Sequence, residues 1–198
     1  MDRHDWNERY RTRELVWTAT PNRFVVEHVG DLPPGRAIDV AAGEARNAVW
    51  LAEQGWRAMA VDFSEVALGK ARELARSRNV TVETAVVDVV HEPLPGGPYD
   101  LVLVAYLQLP APERATAMRH CVDALAPGGT FLAVAHDASN LAGGYGGPQD
   151  PTVLASPASV VDLLGGLTVV SAAIVERPVE TPDGERVAFD HVVRAVRP

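Results

Sequence analysis

The chain has 198 residues, 47% of them hydrophobic, and a formal net charge of −8, which suits one α/β domain with a sizeable core. Its basic residues are scattered, so the long-range field repels polyanions and nucleic acid is not an expected partner. Residues 1–13 are polar, and the longest apolar runs, 101–104 and 167–175, fall far short of the roughly 20 residues of a membrane span. The expectation is a cytoplasmic protein with no membrane attachment, a monomer or homodimer. A lone Cys121 reads as a small buried hydrophobe.

Trp6, Tyr10 and Trp17 make the first residues unusually aromatic, so residues 1–30 are expected either to fold over a site as a lid or to pack on the domain surface. From Arg36 onwards, strand-like and helical segments alternate, as in a parallel sheet covered on both faces. Residues 37–40 form the first strand and end in Ala41-Ala42-Gly43. A helix over 47–54 stops at Gly55, a strand follows over 57–61, and Ser64 caps a helix reaching Arg76. Strands are expected over 80–87 and 99–105, the second with the continuous apolar run of a central strand. Pro112 starts a helix that Pro127-Gly128-Gly129 ends, and 131–135 is the fifth strand. Gly143 to Gly147 is a flexible flap. Ser156-Pro157 opens a helix through Leu164, and the β-rich stretches 167–175 and 186–196 flank the turn Thr181-Pro182-Asp183-Gly184 as an antiparallel pair. The expected fold is α/β and Rossmann-like: a doubly wound, mostly parallel seven-stranded sheet with a C-terminal antiparallel hairpin. Within one domain, 36–135 form a cofactor-binding core and 136–198 the substrate side.

In such sheets the ligand lies beyond the carboxyl ends of the strands, near the point where strand order reverses. Asp39 closes the first strand beside Ala41-Ala42-Gly43, where small residues bring backbone N–H groups close to a ligand. Asp62 ends the second strand at a spacing from Asp39 near the roughly 20 residues at which an acidic residue accepts from ribose hydroxyls; alternatively it assists the amino terminus of the next helix. Asp88 and Val89 follow the third strand, with Asp88 placed for an adenine amino group or as a turn residue, and Phe63 offers the ring a flat face. Ala105-Tyr106 leave the fourth strand under the reactive end. Arg46 is either an active-site cation or a solvated helix-start residue.

These residues resemble a known family. The segments Ile38-Asp39-Val40-Ala41-Ala42-Gly43-Glu44-Ala45-Arg46-Asn47, Val61-Asp62-Phe63-Ser64, Val87-Asp88, Tyr99-Asp100-Leu101-Val102 and Leu125-Ala126-Pro127-Gly128-Gly129 are similar to the ordered motifs of class I methyltransferases. Arg46-Asn47, Trp6-Asn7-Glu8-Arg9-Tyr10 and the arginine-containing hairpin most resemble the tellurite-resistance methyltransferase-like group. The resemblance implies S-adenosylmethionine as cofactor, bound by Asp39, Ala41, Gly43, Arg46, Asp62, Phe63, Asp88, Val89 and Ala105. Ala41 and Ala45 stand where the family usually has glycine; a positive φ there costs roughly a kcal/mol or more.

Methyl transfer from a sulfonium needs alignment and exclusion of water rather than a universal catalytic residue. His136 with Asp137 is the expected base and orienting partner. Arg177 and Arg186 match arginines that the tellurite-type family places around its acceptor, although Glu176 replaces that family's histidine. The acceptor is a small molecule, with oxyanions of the tellurite or selenite type, thiols, hydroxylated metabolites and amines all open. Metal-ligand spacing is absent. The alternatives are a non-catalytic S-adenosylmethionine-binding module and an NAD-dependent oxidoreductase, the second opposed by Arg46 where its fingerprint needs glycine.

Overall fold

The computed structural model describes residues 2–11 and 15–198. Strands β1 (Arg36–Val40), β2 (Arg57–Asp62), β3 (Glu83–Val86), β4 (Tyr99–Ala105), β5 (Leu125–His136), β6 (Thr168–Thr181) and β7 (Gly184–Val196) form one sheet in the order β3-β2-β1-β4-β5-β7-β6. Pairing is parallel from β3 through β5 and antiparallel at β5–β7 and β7–β6. The doubly wound sheet with a terminal hairpin is thus the observed fold.

Side-chain alternation along the central strands divides the core into two layers. Ala37, Leu101, Leu103, Leu132 and Val192 face helices α2 (Arg23–Val29), α3 (Arg46–Glu53) and α4 (Glu65–Ser77). Ile38, Val40, Val102, Val104, Phe131 and Val193 face α5 (Ala111–Asp123) and α7 (Pro157–Val161). Each fully buried side chain of the size of Leu103 or Phe131 contributes roughly 1.5–3 kcal/mol. Cys121 lies buried in the second layer. Helix α4 starts where its cap predicts, with the Ser64 hydroxyl accepting from the Ala67 N–H at 3.1 Å, and Ala67, Leu68, Ala71, Leu74 and Ala75 form its buried stripe. Among the described residues no helix is long and apolar enough to cross a membrane.

The structure moves several expected boundaries. The third strand pairs only over Glu83–Val86, because the Val80 N–H instead closes the end of α4 on the Ala75 carbonyl. The fifth strand begins at Leu125 rather than 131: Pro127-Gly128-Gly129 is a bulge between the Tyr99–Leu125 and Leu101–Thr130 pairs. A Cβ on Gly129 would stand 2.8 Å from the carbonyls of Ala126 and Tyr99, so this close approach needs glycine. Helix α7 stops at Val161, short of Leu164. The hairpin strands run longer than expected and leave only Pro182 and Asp183 between them.

Candidate active site

The carboxyl ends of β1, β2, β4 and β5 open into a cleft of about 960 Å³, at the upper end of the size that ligand pockets span. Its floor is the β1–α3 loop. Ala41, Gly43 and Ala45 all have left-handed backbone, with φ of 53°, 56° and 60°, so both alanines carry the strain that the sequence made conditional on φ. The methyl of Ala45 is fully buried in the first core layer. That of Ala41 is half-buried on the cleft wall, which remains open.

Carboxylates hold this loop. Asp62 accepts the Gly43 N–H through Oδ2 and the Ser64 N–H through Oδ1, each at 2.8 Å. It therefore both ties the loop to β2 and supports the start of α4, and burial raises its pKa. Asp39 accepts the Ala48 N–H at 3.2 Å through Oδ2, while its buried Oδ1 has no partner. Burial pushes the Asp39 carboxyl up to about 7. Arg46, first residue of α3, lines the same cleft, and burial lowers its pKa. Its Nη1 lies 3.3 Å from Thr18 Oγ1, and it makes no ion pair among the described residues. Asp88 is turned onto its own loop, accepting from the Val90 N–H at 3.1 Å and facing His91 Nδ1 at 3.1 Å. Phe63, Val89 and Ala105 line the cleft beside it.

The amino-terminal segment closes one wall. Helix α1 (Arg3–Tyr10) docks at the start of α4, where the Ser64 hydroxyl donates to Asn7 Oδ1 at 2.6 Å. Trp6, Arg9, Tyr10 and Trp17 line the cleft, with the Arg9 guanidinium 5.1 Å from each indole. Buried Glu44 fixes this wall to the loop: its carboxylate accepts the Val16 and Trp17 N–H groups at 3.0 Å and pairs with Lys70 at 3.1 Å. The sequence marked the aromatic residues but not Glu44, although a carboxylate inside a turn of small residues was the available signal.

The opposite end is built by side chains. Asp190 of β7, fully buried, accepts from the Tyr106 hydroxyl at 2.7 Å and from Arg177 Nε at 2.6 Å through Oδ2. His136 Nδ1 lies 3.1 Å from Oδ1, off the direction of a straight hydrogen bond. Burial alone would raise the Asp190 pKa, but contacts from His136, Arg177 and Tyr106 outweigh it and the net shift is down. Asn22 donates to the Tyr106 hydroxyl at 3.3 Å. The orienting carboxylate for His136 is therefore Asp190, not Asp137, which turns to the Ser139 N–H and hydroxyl and stands 3.7 Å from His191. Antiparallel register explains the exchange, since β5 places His136 directly opposite Asp190. Arg177 reaches the cleft, whereas Arg186 is exposed, pairs across the hairpin with Val179, and does not line it. The Gly143–Gly147 stretch is held by the Asn140 side chain bonding the Gly146 carbonyl and by the Tyr145 N–H on Val187.

A reversed-order parallel sheet closed by an antiparallel hairpin, with a cleft beyond β1, β2 and β4, is the class I methyltransferase fold. Residues 37–129 match the family model described as "Methyltransferase domain". Solved structures agree in fold. TehB from Haemophilus influenzae is 16% identical with a TM-score of 0.75, covering 100% of this chain and 68% of its own. The N-methyltransferase NodS from Bradyrhizobium japonicum WM9 in complex with S-adenosyl-l-homocysteine is 19% identical with a TM-score of 0.70, covering 98% and 97%. The structure described as "Conversion of a Disulfide Bond into a Thioacetal Group during Echinomycin Biosynthesis" is 19% identical with a TM-score of 0.75, covering 95% and 86%. No curated protein sequence matches.

Proposed function

We propose that the chain transfers a methyl group from S-adenosylmethionine to a small-molecule acceptor held between Tyr106, His136 and Arg177, in the cytoplasm. The observation that carries this reading is the pairing, at one end of the cleft, of an orphaned buried carboxylate oxygen on Asp39 with an Arg46 guanidinium lacking a carboxylate partner among the described residues. A zwitterionic amino-acid tail satisfies both, its ammonium on Asp39 and its carboxylate on Arg46. The residues present therefore fit the cofactor.

In this reading Ala41 and Gly43 present backbone to the tail, and the free lone pairs of Asp62 take the ribose hydroxyls. Phe63, Asp88 and Val89 surround the adenine, and Ala105 lies below the reactive centre. S-adenosylmethionine supplies a methyl on a sulfonium that leaves as a neutral thioether, so the chain's task is alignment and exclusion of water. Residues 1–30 serve as the lid, 36–135 as the cofactor core and 136–198 as the acceptor side. Arg177 and His136 belong to the acceptor end; Arg186, exposed on the hairpin, does not.

Calorimetric titration with S-adenosylmethionine and its demethylated product, with NAD as control, tests this reading. Both sulfur nucleosides bind and NAD does not; removal of residues 1–20 weakens binding without unfolding the core. Tight NAD binding with neither sulfur nucleoside bound overturns it.

A further inference from the structure

The acceptor end departs from an anion-holding site. Of the two hairpin arginines, Arg186 is exposed and lies outside the cleft, and Arg177 is already neutralised by Asp190 at 2.6 Å. Beside Arg177 at this end of the cleft stands His136, its Nδ1 3.1 Å from Asp190 and its ring covered by Gly147, where an added Cβ would stand 2.9 Å from the imidazole. No hydrogen-bond partner among the described residues engages Nε2, and that atom, unlike Nδ1, is not sealed from the cleft. A carboxylate 3.1 Å from Nδ1 favours the proton there and leaves Nε2 as the basic nitrogen. Leu107, Leu109, Pro148 and Val153 give the surrounding wall apolar surface beside the polar Gln108 and Asp150.

Resting on the methyltransferase reading above, we infer that the acceptor is a neutral molecule with an ionisable hydroxyl, a phenol in class, and that His136 is its general base with Asp190 as the positioning residue. As the acceptor oxygen bonds to the methyl carbon, the carbon–sulfur bond breaks and its electron pair stays on sulfur. The hydroxyl proton passes to His136 Nε2 and then to solvent, so charge and atoms balance without any further reactant. An oxyanion or thiolate needs no such base, and the guanidinium nearest His136 is already paired with Asp190. Tyr106, whose ring centroid lies 5.1 Å from that of His136, is held protonated by burial and by the Asp190 charge, so it orients rather than accepts a proton.

The test pairs turnover with a signal independent of it. Labelled S-adenosylmethionine is offered with catechol, 4-hydroxybenzoate and 1-naphthol, and in parallel with tellurite, selenite and 2-mercaptoethanol. A phenol is methylated, and His136→Gln lowers kcat on it by about 10²–10⁴-fold with cofactor affinity unchanged. In the ligand-free protein, nitrogen NMR of His136 shows the Nδ1-protonated tautomer, and Asp190→Asn converts it to a mixture. Methyl transfer to the thiol or an oxyanion while the phenols stay inert overturns the inference, as does a His136→Gln enzyme of full kcat or a tautomer indifferent to Asp190→Asn. A protein that binds S-adenosylmethionine yet methylates none of the phenols also overturns it; failure to bind the nucleoside overturns the underlying reading instead.

Discussion

On the β1–β2 side of the cleft, Asp62 and Glu44 are satisfied largely by backbone N–H groups of the loops they hold. On the β5–β7 side, Asp190 accepts from Tyr106 and Arg177 and faces His136, three side chains from three different strands or strand ends. The first arrangement fixes the shape of a loop. The second fixes the direction of individual side chains.

The largest blow to this contrast comes from Asp190→Ala. It strands Arg177 and the Tyr106 hydroxyl beside a buried void, and removing one partner of a buried ion pair costs about 3–5 kcal/mol; Arg177 is partly exposed, which places the loss near the lower bound. Denaturant unfolding measures it, and an unchanged midpoint would mean that the cluster is not structural. Asp62→Ala acts at the other end: cofactor affinity falls by about 1–3 kcal/mol while stability changes less, read by calorimetry.

A pH experiment separates the halves further. Asp39 titrates at about 7 when folded against an ordinary 3.8, so between those values the folded chain holds a proton that the unfolded chain has released. Its contribution makes stability fall as pH rises across that window. Asp190 is shifted down, so its contribution is present above 3.8 and is lost as pH falls through its folded value. Asp39→Asn removes the decline toward neutral pH in unfolding curves. In the wild-type protein, cofactor binding strengthens as pH rises through about 7, with proton release on binding.

The smallest effects concern the strained alanines. Ala41→Gly relieves a left-handed backbone at a half-buried methyl and stabilises by about 0.5–1 kcal/mol. Ala45→Gly is near neutral, because the lost burial of a methyl, about 0.8 kcal/mol, offsets the relief. Thermal or denaturant unfolding resolves both.

The same contrast explains what was legible in the sequence. The succession of strands and helices, the small-residue loop after β1, Asp62 at the end of β2 and the capped start of α4 follow from local patterns: apolar runs, small-residue turns and a serine at a helix start. The acceptor cluster depends on antiparallel register, which brings His136 opposite Asp190 across more than fifty residues of chain, and neighbouring residues in sequence suggested Asp137 instead. A signal was present, since Asp190 is an acidic residue inside the apolar stretch of β7, but nothing in that stretch names its partners. The left-handed φ of Ala41 and Ala45 was signalled only by the resemblance, which has glycine at those places, since alanine by itself reads as ordinary backbone.

Glu44 acts as a latch. One buried carboxylate fastens the backbone of Val16 and Trp17 and the ammonium of Lys70 to the floor beneath the nucleoside. Any outward swing of that aromatic doorway must break these bonds together and leave a charge in a dry interior unless water follows it in. In the proposed reading, exchange of the nucleoside past that wall is thereby tied to wetting of a single side chain.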